Sequence, residues 1–198
     1  VTAAVAAARE RDGRLVVWAG KESPEVAPAA EAAQLPLWRM EDGFLRSRGL
    51  GSDFRAALSA VLDPTGIHFD GSRPSALEQA LEAGQTPAAD LARARALRQV
   101  MIEGGLSKYN LGGAAPPSDW PTDRDRVLIV GQVENDRSIL LGCEDIRTNA
   151  GLVRAVRDRL PNAFLIYRDH PDTVAGNRPG RLDEDTARRE GAMVMIHA

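Results

Sequence analysis

The chain has 198 residues, 43% hydrophobic and 27% charged, with a formal net charge of -3. These are values of an ordinary globular protein of one to two domains, and the charge excludes a global basic field for nucleic acid or anionic lipid. The single cysteine, Cys143, excludes an internal disulfide, and no apolar run approaches the roughly 20 residues that cross a bilayer as a helix.

The chain opens on Val1 with VTAAVAAARERDGRL, which lacks the basic-then-apolar order of a signal peptide. Residues 192–196 read as a terminal strand, so the chain is expected to be a piece of something longer. LVVW (15–18) is a short buried strand. Residues 24–34 are helical in character with Ser23 as N-cap. LPLWRM (35–40) is a second strand with Pro36 at its start or on an edge, and Glu41-Asp42-Gly43 follows at once. Residues 58–63 and 67–70 read as two strands around Pro64-Thr65-Gly66, a hairpin candidate. Ser72 is a candidate cap for a helix running to Glu82, with Pro74 in its first turn. A second helix over 90–102 spaces Leu91, Leu97 and Met101 for one face.

Residues 111–125 (LGGAAPPSDWPTDRD) are rich in Gly and Pro without pattern and mark a linker between domains at 1–110 and 126–198. Beyond it, a strand at 127–130, a helix at 148–160 with Leu152, Val153, Val156 and Leu160 on one side, a strand at 164–167, a helix at 183–190 and the strand at 192–196 form a β-α-β-α-β string. That string predicts an α/β fold with a parallel sheet and right-handed crossovers.

Open parallel sheets bind ligands beyond the carboxyl ends of their strands. Three polar segments fall there. Glu41-Asp42-Gly43 offers adjacent carboxylates for acid/base work, or a solvated acidic turn. Gln132 to Ser138 offers amide, carboxylate, cation and hydroxyl. There Asp136 suits a nucleophile or base and Ser138 a phosphate contact, unless the segment is a polar loop with an Asx turn at Asn135. Arg168 to Asp172 sets His170 before a proline, suited to hold a phosphate oxygen beside the fixed charge of Arg168, or to cap a neighbouring carbonyl. No phosphate loop, H-E-x-x-H or zinc spacing is present. The acidic pairs Glu144-Asp145 and Asp183 to Asp185 read as helix-dipole partners, so no metal is predicted. His68 and His197 sit in strand-like runs without visible partners.

WRMEDGFLRSRGLGSDF (38–54), LSAVLDPTGIHFDGSRPSALE (58–78), GLSKYNLGG (105–113), GQVENDRSILLG (131–142) and RDHPDTVAGNRPG (168–180), taken in order, resemble the capsule polysaccharide synthesis family that transfers Kdo, the KpsC/KpsS type. The GQVENDRS and SKYNLGG forms look more like the second transferase module of the long members. The resemblance implies a GT-B-like layout, with a Rossmann-like acceptor-side domain at 1–110 and an incomplete nucleotide-binding one at 126–198. It implies a bacterial retaining transferase that moves Kdo from CMP-Kdo, without a cofactor, to a lipid-linked saccharide acceptor. It places the protein in the cytoplasm, peripheral to the inner membrane, with a capsule assembly or export complex as partner. By the matching positions, Asp136 is the nucleophile and Glu41 the acid/base. His170, Arg168, Ser138, Gln132, Lys108, Tyr109 and Asn110 bind the donor, and Arg46 and Arg48 meet substrate carboxylates. The chain has Gly131 where related modules can carry an Asp. Two other readings stay open: a GT-B enzyme using another nucleotide sugar, and an inactive module serving as a binding unit.

Overall fold

The computed structural model describes residues 1–112 and 119–196. The middle of the expected linker, the last glycine of GLSKYNLGG, and His197 lie outside the described residues. The chain divides into two compact units, Val1–Leu111 and Gly112–Ala198.

Unit 1 begins with an Ala-rich helix, α1 (Thr2–Glu10), and then β1 (Leu15–Trp18). The crossover helix α2 (Val26–Ala32) leads to β2 (Leu37–Asp42), which pairs parallel with β1 in the register Leu15↔Leu37. β3 (Ala60–Asp63) lies antiparallel on the other side of β2, so the sheet order is β1-β2-β3 and β2 is central. Pro36 therefore stands just before a central strand, not on an edge. It has no N–H to spend, and its carbonyl accepts from Leu15 N–H at 2.9 Å. Ser23 makes no side-chain cap on α2, whose N-cap is Glu25.

The expected hairpin does not form. Asp63 ends β3 and its Oδ1 accepts from the N–H of Thr65 and of Gly66, both at 2.8 Å, and from the Thr65 hydroxyl. Its Oδ2 accepts from Ala76 N–H at 2.9 Å. This Asx turn leads the chain away from the sheet, and residues 67–70 are turn, with Ile67 buried. The following helix, α3 (Ala76–Ala83), is capped by Ser75, not Ser72. Ser75 Oγ accepts from Glu78 N–H and Glu78 Oε2 accepts from Ser75 N–H, a reciprocal capping box, while Gly84 closes the helix at φ 61. α4 (Ala88–Glu103) buries no residue, so the expected apolar face stays uncovered.

Unit 2 is an all-parallel sheet, β4 (Arg126–Val130), β5 (Phe164–Arg168) and β6 (Val194–Ile196), in that order. β5 is central and reads FLIYR with four buried residues, as a strand covered on both faces must. Between β4 and β5 run a short helix absent from the sequence reading, α5 (Arg137–Gly142), and the crossover α6 (Asn149–Arg159). α7 (Pro171–Val174) and α8 (Glu184–Arg189) lead to β6. Val153 of α6 and Ala187 of α8 pack on Ile129, Leu165 and Tyr167 to form the core. At about 2 kcal/mol for each large side chain buried, this cluster is the main support of the unit. Glu144 and Asp145 lie in the turn before α6, not at a helix start, whereas Asp183 caps α8.

Candidate active site

The structure presents two polar rims, one on each unit, each at the carboxyl ends of parallel strands.

On unit 1, Glu41 and Asp42 are the last residues of β2 itself rather than a turn after it. Glu41 folds back so that Oε1 accepts from Asp42 N–H at 3.0 Å, and its Oε2 lies close to Gly20, just past β1. Asp42 Oδ2 accepts from Arg46 Nε at 2.6 Å, while its Oδ1 is buried without a hydrogen-bond partner among the described residues. Arg46 is 8% exposed, so it is no surface ion pair. Its Nη1 also donates to Ser47 Oγ and to the carbonyl of Arg55, and its guanidinium lies against Gly51, where a Cβ would come within 2.7 Å. Arg46 thus holds the loop after β2. Arg48 is exposed.

The segment 107–110 is stitched to this loop. The N–H groups of Arg46 and Ser47 donate to Lys108 O, Gly49 N–H donates to Tyr109 O, and Asn110 Nδ2 donates to Ser47 O. Asn110 Oδ1 also accepts from Ser107 N–H, and its φ of 50 sets the turn. The Lys108 ammonium stands 5.2 Å from the Tyr109 ring. Glu41, Arg46, Arg48, Lys108, Tyr109 and Asn110, drawn from two distant motifs, therefore share one rim, with Arg46 and Asn110 committed to building it.

On unit 2, Gly131 to Ser138 follows β4 and residues 169–182 follow β5. Asp136, not Asn135, makes the local turn: its Oδ1 accepts from Ser138 N–H at 3.0 Å and the Ser138 hydroxyl at 2.8 Å, capping α5. Its Oδ2 lies 3.8 Å from Arg178 Nη2, which also donates to Asn135 Oδ1. His170 caps α7, with Nδ1 accepting from Asp172 N–H at 3.1 Å. A neutral imidazole arranged so carries its hydrogen on Nε2. Gln132 is half-buried, its backbone N–H donating to Asn149 Oδ1, and Arg168 is exposed at the end of β5.

Residues absent from the sequence-derived site hold these loops. Asn149, 3% exposed, accepts from Gln132 N–H and donates through Nδ2 to Gln132 O and Gly180 O, while its own N–H donates to Glu134 Oε1. Beneath them Tyr167 and Asp169 are buried side by side. Burial and the adjoining Asp169 carboxylate push the Tyr167 hydroxyl well above its ordinary pKa. Leu182 N–H donates to Asp169 Oδ1, which ties the far end of the second loop. No signal in the sequence marks Asn149 for this role, since its partners apart from Glu134 Oε1 are backbone atoms.

Two surface depressions on unit 2 lie at the opposite, amino ends of its strands, around Arg124, Arg157, Asn162 and Ala163. Arg157 there is consumed by the carbonyls of Gly191, Pro161 and Ala163. Parallel sheets place ligands at the other end. Among the described residues, no group of three or more His, Cys, Asp or Glu is arranged to hold a metal ion, and no helix is long and apolar enough to cross a membrane.

The sequence model of the capsule polysaccharide biosynthesis proteins matches residues 14–117 and 110–198. The chain belongs to that family. Among curated members of the capsule family or their relatives, it is 43% identical over 181 residues to the capsule polysaccharide modification protein LipA of Neisseria meningitidis serogroup A, covering 90% of this chain and 25% of LipA. It is 47% identical over 166 residues to the lipopolysaccharide-processing protein LpsZ of Rhizobium meliloti, covering 82% of this chain and 38% of LpsZ. Among solved structures, KpsC of Thermosulfurimonas dismutans, described as a beta Kdo 2,4 transferase, matches with a TM-score of 0.76 and 30% identity, over 91% of this chain and 56% of that one. The KpsC beta Kdo 2,7 transferase of the same organism matches with a TM-score of 0.67 and 26% identity, over 97% and 56%. This capsule-family chain thus spans a quarter to just over half of the relatives it matches, and it is similar to part of KpsC.

Proposed function

We propose that this chain is part of a retaining glycosyltransferase that moves Kdo from CMP-Kdo to a lipid-linked saccharide at the inner membrane, in capsule polysaccharide synthesis. The observation that carries this is the likeness to the KpsC beta Kdo 2,4 transferase, 30% identical with a TM-score of 0.76. The likeness to the 2,7 transferase is weaker on both measures, which supports a 2,4 linkage. The parallel sheet of unit 2 supports a Rossmann-like nucleotide domain of the GT-B kind.

The donor is assigned to the rim of unit 2. There the imidazole of His170, the guanidinium of Arg168 and the amide of Gln132 supply donors suited to the CMP phosphate, while the Ser138 hydroxyl, which donates to Asp136 Oδ1, borders the same donor site. Asp136 is assigned as nucleophile, through Oδ2, since Oδ1 is committed to Ser138. Its attack on the anomeric carbon expels CMP and leaves a glycosyl ester. The acceptor hydroxyl then attacks that carbon with Glu41 taking its proton, and two inversions retain the configuration. On unit 1, Lys108 and Tyr109 are assigned to substrate contact and Arg48 to a substrate carboxylate, while Asn110 and Arg46 position the rim. No metal or cofactor is assigned.

The test is calorimetric titration of the chain with CMP, UMP and ADP. Selective CMP binding, weakened about tenfold (1.4 kcal/mol) in His170→Asn, is the expected result. Asparagine keeps an acceptor for Asp172 N–H and removes the Nε2 donor. Equal or tighter binding of UMP or ADP would transfer the assignment to another nucleotide sugar.

A further inference from the structure

The first motif carries three aromatic residues that the reaction above leaves unused, Trp38, Phe44 and Phe54. Phe44 directly follows the Glu41-Asp42-Gly43 rim of unit 1, and its side chain is 60% exposed. Phe44 is nevertheless firmly mounted. Its ring lies 5.2 Å from His68 at an interplanar angle of 51°, and His68 meets Phe69 edge-on at 5.6 Å. The His68 turn is anchored by buried Ile67 and by the Asp63 carboxylate that fixes Thr65 and Gly66. Beneath Phe44, Gly43 donates its N–H to Ser59 O and packs so closely on Ser59 that any Cβ would collide with it.

The surroundings decide what such a ring takes. An aromatic face is electron-rich and attracts weakly positive C–H groups, which a pyranose ring presents on its faces while its hydroxyls point outward. The neighbours here are Glu41, an acceptor for hydroxyls, and exposed Arg48, a partner for a sugar carboxylate. Phe44 lies three residues from Glu41, within about 11 Å along the chain, the span of one or two sugar rings.

We infer that Phe44, backed by His68, is a stacking platform that holds a saccharide ring of the acceptor beside Glu41; this rests on the transferase reading. The test is equilibrium binding of the methyl β-glycoside of Kdo to the full chain, followed by ligand-observed NMR, with CMP titrated in parallel. Phe44→Ala is expected to weaken the glycoside about tenfold, Phe44→Trp to hold it within about twofold, and all variants to bind CMP as the parent does. Phe44→Leu keeps apolar bulk without a π face and is expected to fail as Phe44→Ala does. Unchanged glycoside affinity in Phe44→Ala overturns the inference. So does binding of CMP without the glycoside, which leaves the transferase reading standing. Binding of a decyl but not the methyl glycoside overturns it too, by showing a site for the alkyl chain. Loss of both CMP and glycoside binding removes the reading and the inference together.

Discussion

The Tyr167 hydroxyl fills the space that a side chain at residue 131 would need: an ideal Cβ on Gly131 would lie 2.3 Å from Tyr167 Oη and 3.0 Å from Arg168 O. Tyr167 is fully buried in the core of unit 2, so the ring has little room to withdraw. Gly131→Ala is expected to cost about 1–3 kcal/mol by overpacking, and Gly131→Asp more. Urea unfolding of Gly131→Ala alone and with Tyr167→Phe checks this, since removing the hydroxyl should return part of the loss. An aspartate at this position, as related modules can carry, does not fit this chain with its tyrosine in place.

Asn149 is the residue on which the two loops of the unit 2 rim converge. Asn149→Ala leaves the N–H of Gln132 and the carbonyls of Gln132 and Gly180 without their partner. Loss of about 2–4 kcal/mol is expected. Hydrogen exchange should quicken at Gln132 before it does in β5, where burial protects the strand. Exchange that quickens equally in both would mean that the loops and the core open as one unit.

Acid should weaken unit 1 through Asp63. Burial pushes its carboxyl up, but the N–H groups of Gly66, Thr65 and Ala76 and the Thr65 hydroxyl outweigh that and hold it below the ordinary value. A folded pKa below the unfolded one gives stability that is full above the unfolded value, about 4. That stability is lost as pH falls through the lowered value. Asp63→Asn, which turns an amide NH₂ toward Ala76 N–H, should cost about 1–3 kcal/mol at pH 7 and flatten the acid limb below about pH 4. Thermal melts across that range read both effects, and parallel acid limbs in the two proteins would assign the acid loss to other carboxylates.

Asp136 has a structural duty as well as its proposed chemical one, and two substitutions separate them. Asp136→Asn keeps an oxygen for Ser138 N–H and so retains the cap of α5, while Asp136→Ala loses it at about 1 kcal/mol. If Asp136 is the nucleophile, both lose Kdo transfer by about 1,000-fold or more, and neither forms a Kdo adduct visible in the intact mass. An adduct on Asp136→Asn assigns the ester to another carboxylate.

Much of unit 2 was legible because VLIV and FLIY are continuous apolar runs, which parallel strands under helices require. IHFD at 67–70 looked similar but is turn. Its direction is set by Asp63 four residues earlier, and apolar pattern alone does not report where a carboxylate finds N–H donors. The Ser75 cap was present in the sequence as S-x-x-E at 75–78, and Ser72 competed only through Pro74 two residues on. Arg46 was expected, with Arg48, to meet a substrate carboxylate, because nothing in RSRG says which arginine turns inward. That choice rests on Asp42, on Arg55 O and on the bare Gly51 beneath the guanidinium. Asn149 gave no chemical hint because all its partners but Glu134 Oε1 are backbone atoms.

The bond from Asn110 to Ser47 spans 63 positions of the chain. At the roughly 5–20 residues per second of synthesis, the Arg46 loop waits about 3–13 seconds after leaving the ribosome for the segment that pins it. β1, β2 and β3 can pair during that interval, since all three precede residue 64. The scaffold of unit 1 is thus made early and its chemical edge late, and a nascent chain halted before residue 107 would present the sheet with the rim still open.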